Sequence, residues 1–168
     1  MDEKLSLADL KAGGDIVEVS KDLHWRDFEA FASALLSETG YIVTRNLMLT
    51  KPRAELDIIA TKDNRAVAID CKHWKYSSPA KLLLAIRAQR ERAKRYCNSK
   101  FAMKARISET LPALLTLYDD GVHVIEGSPI VPVSRFDNFL LEFDGHLDMF
   151  EMERPEPLNR LLTDYSRT

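Results

Sequence analysis

The spacing of apolar and polar positions changes several times along the chain, and each change marks an element. Between Asp22 and Glu38, the residues Trp25, Phe28, Phe31, Ala32, Leu35 and Leu36 recur at helical intervals. They predict an amphipathic helix with Asp22 as its N-cap and Thr39-Gly40 as its stop. Tyr41 to Thr50 predicts a first strand, ended before Lys51-Pro52. Two short runs follow, Glu55-Leu56-Asp57-Ile58-Ile59-Ala60 and Ala66-Val67-Ala68-Ile69-Asp70-Cys71-Lys72, and the polar stretch Thr61 to Arg65 between them predicts a hairpin. Ser77-Ser78-Pro79 opens a second long helix, with Leu82, Leu83, Ala85, Ile86, Gln89, Ala93, Tyr96 and Cys97 as its apolar stripe. Leu114 to Tyr118 and Val122 to Ile125 read as strands flanking a turn at Asp119-Asp120-Gly121. Ile130 to Val133 reads as another strand and Asn138 to Phe143 as a short helix. At the start, Leu5 to Leu10 predicts a short helix stopped at Gly13-Gly14, after which Ile16, Val17 and Val19 dock or add an edge strand. Glu153 to Pro157 reads as loop.

The hairpin carries the chemistry. If Asp63-Asn64 is its tip, opposite residues have numbers with a constant sum, so Asp57 faces Asp70 and Glu55 faces Lys72. Side chains two apart share a strand face, which predicts all four groups on one side. Directly opposed residues sit roughly 4.5–5.5 Å apart, and like charges there are destabilising. A divalent cation resolves that repulsion, because hard cations take carboxylate oxygens. The plain alternative is a surface hairpin with a Glu55–Lys72 ion pair and solvated aspartates. Glu29, on the edge of the first helix's apolar stripe, is either a further ligand reaching over the sheet or an exposed acid whose stem covers the core rim.

Charge is divided unevenly. The net charge is only −2, yet residues 71–106 carry 11 Lys/Arg against 1 Asp/Glu. Residues 1–70 carry 9 against 13, and residues 107–168 carry 4 against 12. A basic block directly after the acid-bearing strand suits a polyanionic substrate. In the second helix Lys81, Arg87, Arg90, Arg92, Lys94 and Arg95 surround the stripe, with Glu91 as the lone acid. Solvated faces normally mix signs for pairing four residues apart, so phosphate contact is the better reading. Lys75, Arg87, Gln89, Arg90 and Lys94 are the candidate nucleic-acid contacts. Trp74 and Tyr76 either stack on a base or cap the core beneath the helix. The acidic C-terminal tail repels DNA, contacts a partner or solubilises the chain, with solubility as the default.

A helix with an edge Glu, a strand ending in an acid, and a paired strand carrying acid-any-Lys resembles the PD-(D/E)XK nucleases. That superfamily includes type II restriction enzymes and the Mrr-like, RecB-like and archaeal Holliday junction resolvase nucleases. By motif, Asp57 matches the first acid, Asp70 the second, Lys72 the lysine and Glu29 the helical acid. The resemblance covers roughly residues 20 to 145, with 1–19 as an N-terminal arm and 146–168 as an acidic tail on a single domain. Leu56 stands where the name-giving proline would be, and Asp70 replaces the commoner Glu. Gln89 and Tyr96 do not meet the Gln-x-x-x-Tyr motif of some RecB-like members. The resemblance implies an α/β fold with a restriction endonuclease-like core, a central mixed sheet flanked by helices. It also implies Mg²⁺ or Mn²⁺ held by Asp57, Asp70, Glu29 and the Cys71 backbone carbonyl, and hydrolysis of DNA phosphodiesters. RNA is an alternative substrate. An inactive nucleic-acid-binding scaffold and a dimeric junction resolvase are alternative functions.

The remaining signals exclude other classes. At 168 residues the chain suits one domain with one core. No apolar run reaches the length of a membrane span, and Met1-Asp2-Glu3 is a poor start for a secretory signal. Cys71 and Cys97 have no metal-type spacing, and a cytoplasmic protein is the default. Cys71 is expected to point away from Asp70 and Lys72 as a small buried hydrophobe. His24, His73, His123 and His146 form no ligand pattern, and no Gly-rich phosphate loop is present.

Overall fold

A computed structural model describes residues 25–74, 76–117 and 120–157. The expected N-terminal helix and edge strand, the Asp22 cap, Lys75 and the last eleven residues of the tail lie outside the described residues. Helix α1 (Trp25–Glu38) is followed by β1 (Ile42–Thr50), β2 (Arg53–Lys62) and β3 (Arg65–Lys72). Next come α2 (Pro79–Cys97), the short α3 (Lys100–Lys104), β4 (Glu109–Thr116), β5 (His123–Ile125), β6 (Ser128–Pro132) and α4 (Phe136–Glu142). The six strands form one mixed sheet in the order β1-β2-β3-β4-β6-β5. β3, β4 and β6 run parallel, and the outer pairings are antiparallel.

Helices cover both faces of the sheet. On one face, Phe28, Ala32 and Leu36 of α1 pack on Ile58, Ala60, Val67, Ile69, Leu111 and Leu115. On the other, Ala93 and Tyr96 of α2 pack on Ile59, Ala66 and Ala68. This double burial explains why Ala66 to Asp70 are all buried and why β3 reads as a continuous run rather than an alternation. Ser78 caps α2 by accepting from the Lys81 amide, with Pro79 in the first turn as expected.

The hairpin has the register that a two-residue tip dictates, from Ile58↔Ile69 to Lys62↔Arg65. Asp63 takes the left-handed backbone (φ 54°) that such a tip needs and that Asp tolerates. The expectation that Glu55, Asp57, Asp70 and Lys72 share one face needs correction. Leu56 and Ile59, three apart, pack in the same cluster, as do Leu47 and Leu49, whereas Val43 packs on the opposite face. Both β1 and β2 therefore turn over midway. The turnover lies where Asn46 adopts φ 51° and where Asp57 drops out of both ladders. Glu55 consequently lies on the α1 face and Lys72 on the α2 face.

Two later strands differ from expectation. β4 begins at Glu109 rather than Leu114 and runs through Pro112. Thr110 exchanges two backbone bonds with Glu153, and the β4–β6 ladder starts at Leu114. The missing proline donor therefore falls in the gap between them, where a strand tolerates it. β5 pairs with β6 and not with β4, through the turn Glu126-Gly127, both at positive φ. The segment 151–156, expected as loose tail and loop, docks against this hairpin and α2. Its Glu151 amide donates to Gly127, its Glu156 amide to Asn98, and the Cys97 thiol donates to the Glu153 carbonyl.

Candidate active site

The opening in the sheet at Asp57 is the centre of the site. Instead of a ladder bond, the Cys71 amide donates to Asp57 Oδ2 at 2.9 Å, so the side chain takes the place of the missing backbone partner. The Asp57 carboxyl lies within hydrogen-bonding reach of Asp70, which is 6 % exposed. Two carboxyls so close cannot both be ionised without cost. Burial is the main cause that raises the Asp57 pKa from 3.8 to about 7. The Cys71 amide opposes that rise, while the Asp70 and Glu29 charges add to it.

Asp70 is held by two cations on the α2 face. Lys72 Nζ lies 2.8 Å and Arg92 Nη2 2.9 Å from its Oδ2. Charge-assisted bonds of this kind offset the desolvation of a buried carboxylate. Lys72 Nζ also sits 5.5 Å from the centre of the Trp74 ring, with Lys81 Nζ at 3.8 Å over the same ring. Trp74 packs against Leu82, Ile86, Leu114 and Ile130 and so caps the core, whereas Tyr76 is exposed. Cys71 packs on the α1-side cluster, opposite Asp70, and burial pushes its thiol pKa up.

Glu29 approaches from the other face. It is buried, and burial raises its pKa against the opposing charge of Arg45, whose Nη2 is 3.7 Å from Oε2. Oε2 itself is buried without a hydrogen-bond partner. As the side chains stand, no three His, Cys, Asp or Glu groups among the described residues converge as a ready metal cluster. The donor set nevertheless suits a hard cation: two carboxyls in mutual contact and a third whose Oε2 makes no hydrogen bond among the described residues beyond its 3.7 Å ion pair with Arg45.

The nominated nucleic-acid contacts divide. Gln89 is 1 % exposed, donates to the Ala68 carbonyl and accepts from Arg92 Nε, so it braces the site and is not a surface contact. Arg87 is paired with Glu126 at 2.6 Å. Arg90 is held by Glu151, Glu153 and the Glu126 carbonyl, and Lys94 lies 4.0 Å from Glu156. The acidic C-terminal segment thus neutralises one side of α2, where solubility had been the default expectation. Arg45 was not singled out from the sequence, and Arg92 was read only as one of the basic residues of α2, not as a partner of Asp70. A polar residue within the apolar stripe, Gln89, was the available signal that α2 presents polar groups to the sheet beside Asp70.

A family model described as a restriction endonuclease, the Mrr catalytic domain, matches residues 20–108. The chain belongs to this Mrr-type restriction endonuclease family. The match takes in α1, the β2–β3 hairpin and α2, which together bring Glu29, Asp57, Asp70, Lys72 and Arg92 to one place. Membership carries a nuclease-type function and places the chain among the PD-(D/E)XK nucleases. A search of curated proteins finds no match. Among solved structures, the crystal structure of the protein of unknown function AF1548 is similar at 16 % identity and a TM-score of 0.32. The similarity covers 61 % of this chain and 47 % of that one, so the chain spans about half its length. No helix among the described residues is long and apolar enough to cross a membrane.

Proposed function

We propose that this protein is a Mg²⁺- or Mn²⁺-dependent endonuclease that hydrolyses DNA, with residues 20–145 as its nuclease core. The observation that carries the reading is the contact of the Asp57 and Asp70 carboxyls at the open end of the hairpin ladder, with Lys72 Nζ 2.8 Å from Asp70. Asp57, Asp70, Glu29 and the Cys71 carbonyl would hold the ion. When bound, the ion supplies a Lewis acid for the scissile phosphate and a lower pKa for the attacking water. The chain does the rest. The Cys71 amide fixes Asp57, and Arg92, braced by Gln89, fixes Asp70. Lys72 orients the attacking water and stabilises the negative charge that builds as phosphorus becomes five-coordinate.

Asp70→Ala and Lys72→Ala are each expected to abolish cleavage, assayed with Mg²⁺, Mn²⁺ and EDTA arms, while circular dichroism shows the fold retained. Cutting by both purified variants overturns the mechanism. Including single-stranded, duplex and four-way-junction DNA separates restriction-type cutting from junction resolution. A second reading, a binding protein without turnover, is favoured by one observation: Lys72 and Arg92 already hold Asp70. A protein that shifts DNA on a gel but never cuts it with either ion would support that reading.

A further inference from the structure

We infer that the substrate's phosphate backbone runs along the side of α2 that carries Arg92 and Arg95, into the groove between the β1–β2 turn and the α2–α3 junction. It does not cross the Arg87–Arg90 side. The inference rests on the nuclease reading and deepens it by assigning a binding site away from the reacting atoms.

Three observations point the same way. First, the outer side of α2 is closed: Arg87 and Arg90 are engaged by Glu126, Glu151 and Glu153 at 2.6–3.1 Å. An incoming phosphate there would meet carboxylates before it met a free guanidinium. Second, the inner side is continuous with the site. Arg92 contacts Asp70, and Arg95, three residues on, lies on the same side about 4.5 Å further along the helix axis. Arg95 Nη2 makes no hydrogen bond among the described residues, an unsatisfied cationic donor that an anion would complete. Third, a groove of about 590 Å³ opens at Arg95. Lys51, Lys94, Arg95 and Lys100 line it against Glu91 and Glu156, so it keeps a cationic excess. The ring of Phe101, 38 % exposed, offers an apolar wall for a sugar or base. The volume lies within the usual range for a ligand site. A phosphodiester backbone presents singly charged groups at short regular intervals, which matches cations one helical turn apart.

The test is binding, not turnover. Fluorescence anisotropy of the full chain in EDTA, with labelled single-stranded and duplex DNA, is measured for Lys51→Glu, Arg95→Ala, Arg95→Lys and Arg87→Ala. Lys51→Glu leaves the fold unthreatened, because Lys51 is exposed in a turn. It is expected to weaken binding about ten-fold and to flatten the salt dependence by roughly the contribution of one phosphate contact. Arg95→Ala should do the same and Arg95→Lys should recover part of the loss, while Arg87→Ala stays within two-fold of the unmodified protein. Unchanged binding by Lys51→Glu and Arg95→Ala, or an equal loss in Arg87→Ala, overturns the assignment. Displacement of the DNA by polyglutamate at equal charge would also overturn it, since the groove would then accept any polyanion. Groove-dependent binding without cleavage in Mg²⁺ or Mn²⁺ sinks the nuclease reading alone. Cleavage that persists with groove-independent binding sinks the groove alone.

Discussion

Replacing Asp57 with Asn is expected to make the metal-free protein more stable while removing its cleavage. The side chain lies between Asp70 and Glu29, and burial together with those two acids raises its pKa from 3.8 to about 7. A carboxyl raised that far costs the fold on the order of 4 kcal/mol once ionised. Asp57 is only partly buried, and solvent screening reduces the figure to about 2 kcal/mol. The folded protein holds this proton more tightly than the unfolded chain does. The penalty is therefore absent below about pH 4, grows as pH rises and is complete above about pH 7. Asn keeps an oxygen to accept from the Cys71 amide and turns a donor toward Asp70, so it removes charge without removing shape. For a chain of this size each kcal/mol moves the midpoint by about 2–4 °C, giving a gain of about 4–8 °C at pH 8 that shrinks toward zero near pH 4. Thermal melts of both proteins in EDTA from pH 4 to 8 provide the measurement. A variant that melts at or below the unmodified protein at pH 8, or a gain that ignores pH, refutes the electrostatic account of the site.

Gln89→Ala leaves the Ala68 carbonyl and Arg92 Nε without their buried partner and should cost about 1–3 kcal/mol by urea denaturation. A loss under about 0.5 kcal/mol, at the level of a surface substitution, would show that Gln89 does not brace the site. Gly127→Ala places a methyl 2.4 Å from Glu151 Cγ at a residue with φ 71°, so both the turn and the docked acidic segment must shift. A cost of about 1–3 kcal/mol is expected, with faster hydrogen exchange at the Thr110 and Glu153 amides; unchanged exchange there would separate the segment from the turn.

The hairpin was legible because its information is local. A two-residue turn and two apolar runs set the register, and that register ends at Ile58↔Ile69, with Asp57 and Asp70 next in sequence just beyond it. The turnover of β1 and β2 at Asn46 and Asp57 was not legible. It depends on Leu47, Leu49 and Leu56 reaching the α2-side cluster, a preference that no strand pattern encodes. β4 was read too short, starting at Leu114, and Pro112 lies in the part that was missed. Only the distant Glu153 bridge explains why its missing donor is harmless. The charge blocks misled in a similar way. Counting along the chain makes 71–106 a basic surface, but the fold returns Glu126, Glu151 and Glu153 to Arg87 and Arg90. Charges far apart in sequence cancel in space, and a net count by segment cannot register that.

The distribution of partners explains why Asp57 is the electrostatic weak point. On the α1 face Glu29 has Arg45, and on the α2 face Asp70 has Lys72 and Arg92, each cation drawn from the same side as its acid. Asp57 lies where the sheet turns over, and its hydrogen-bond donor among the described residues is the Cys71 backbone amide. A dipole offsets part of a buried charge, but a neighbouring cation offsets more. The two outer acids thus each face a cation from their own side, and the middle one is the carboxyl that burial raises to about 7. The proposed cation site would use this gap, and Asp57, the residue that leaves both ladders, would provide it.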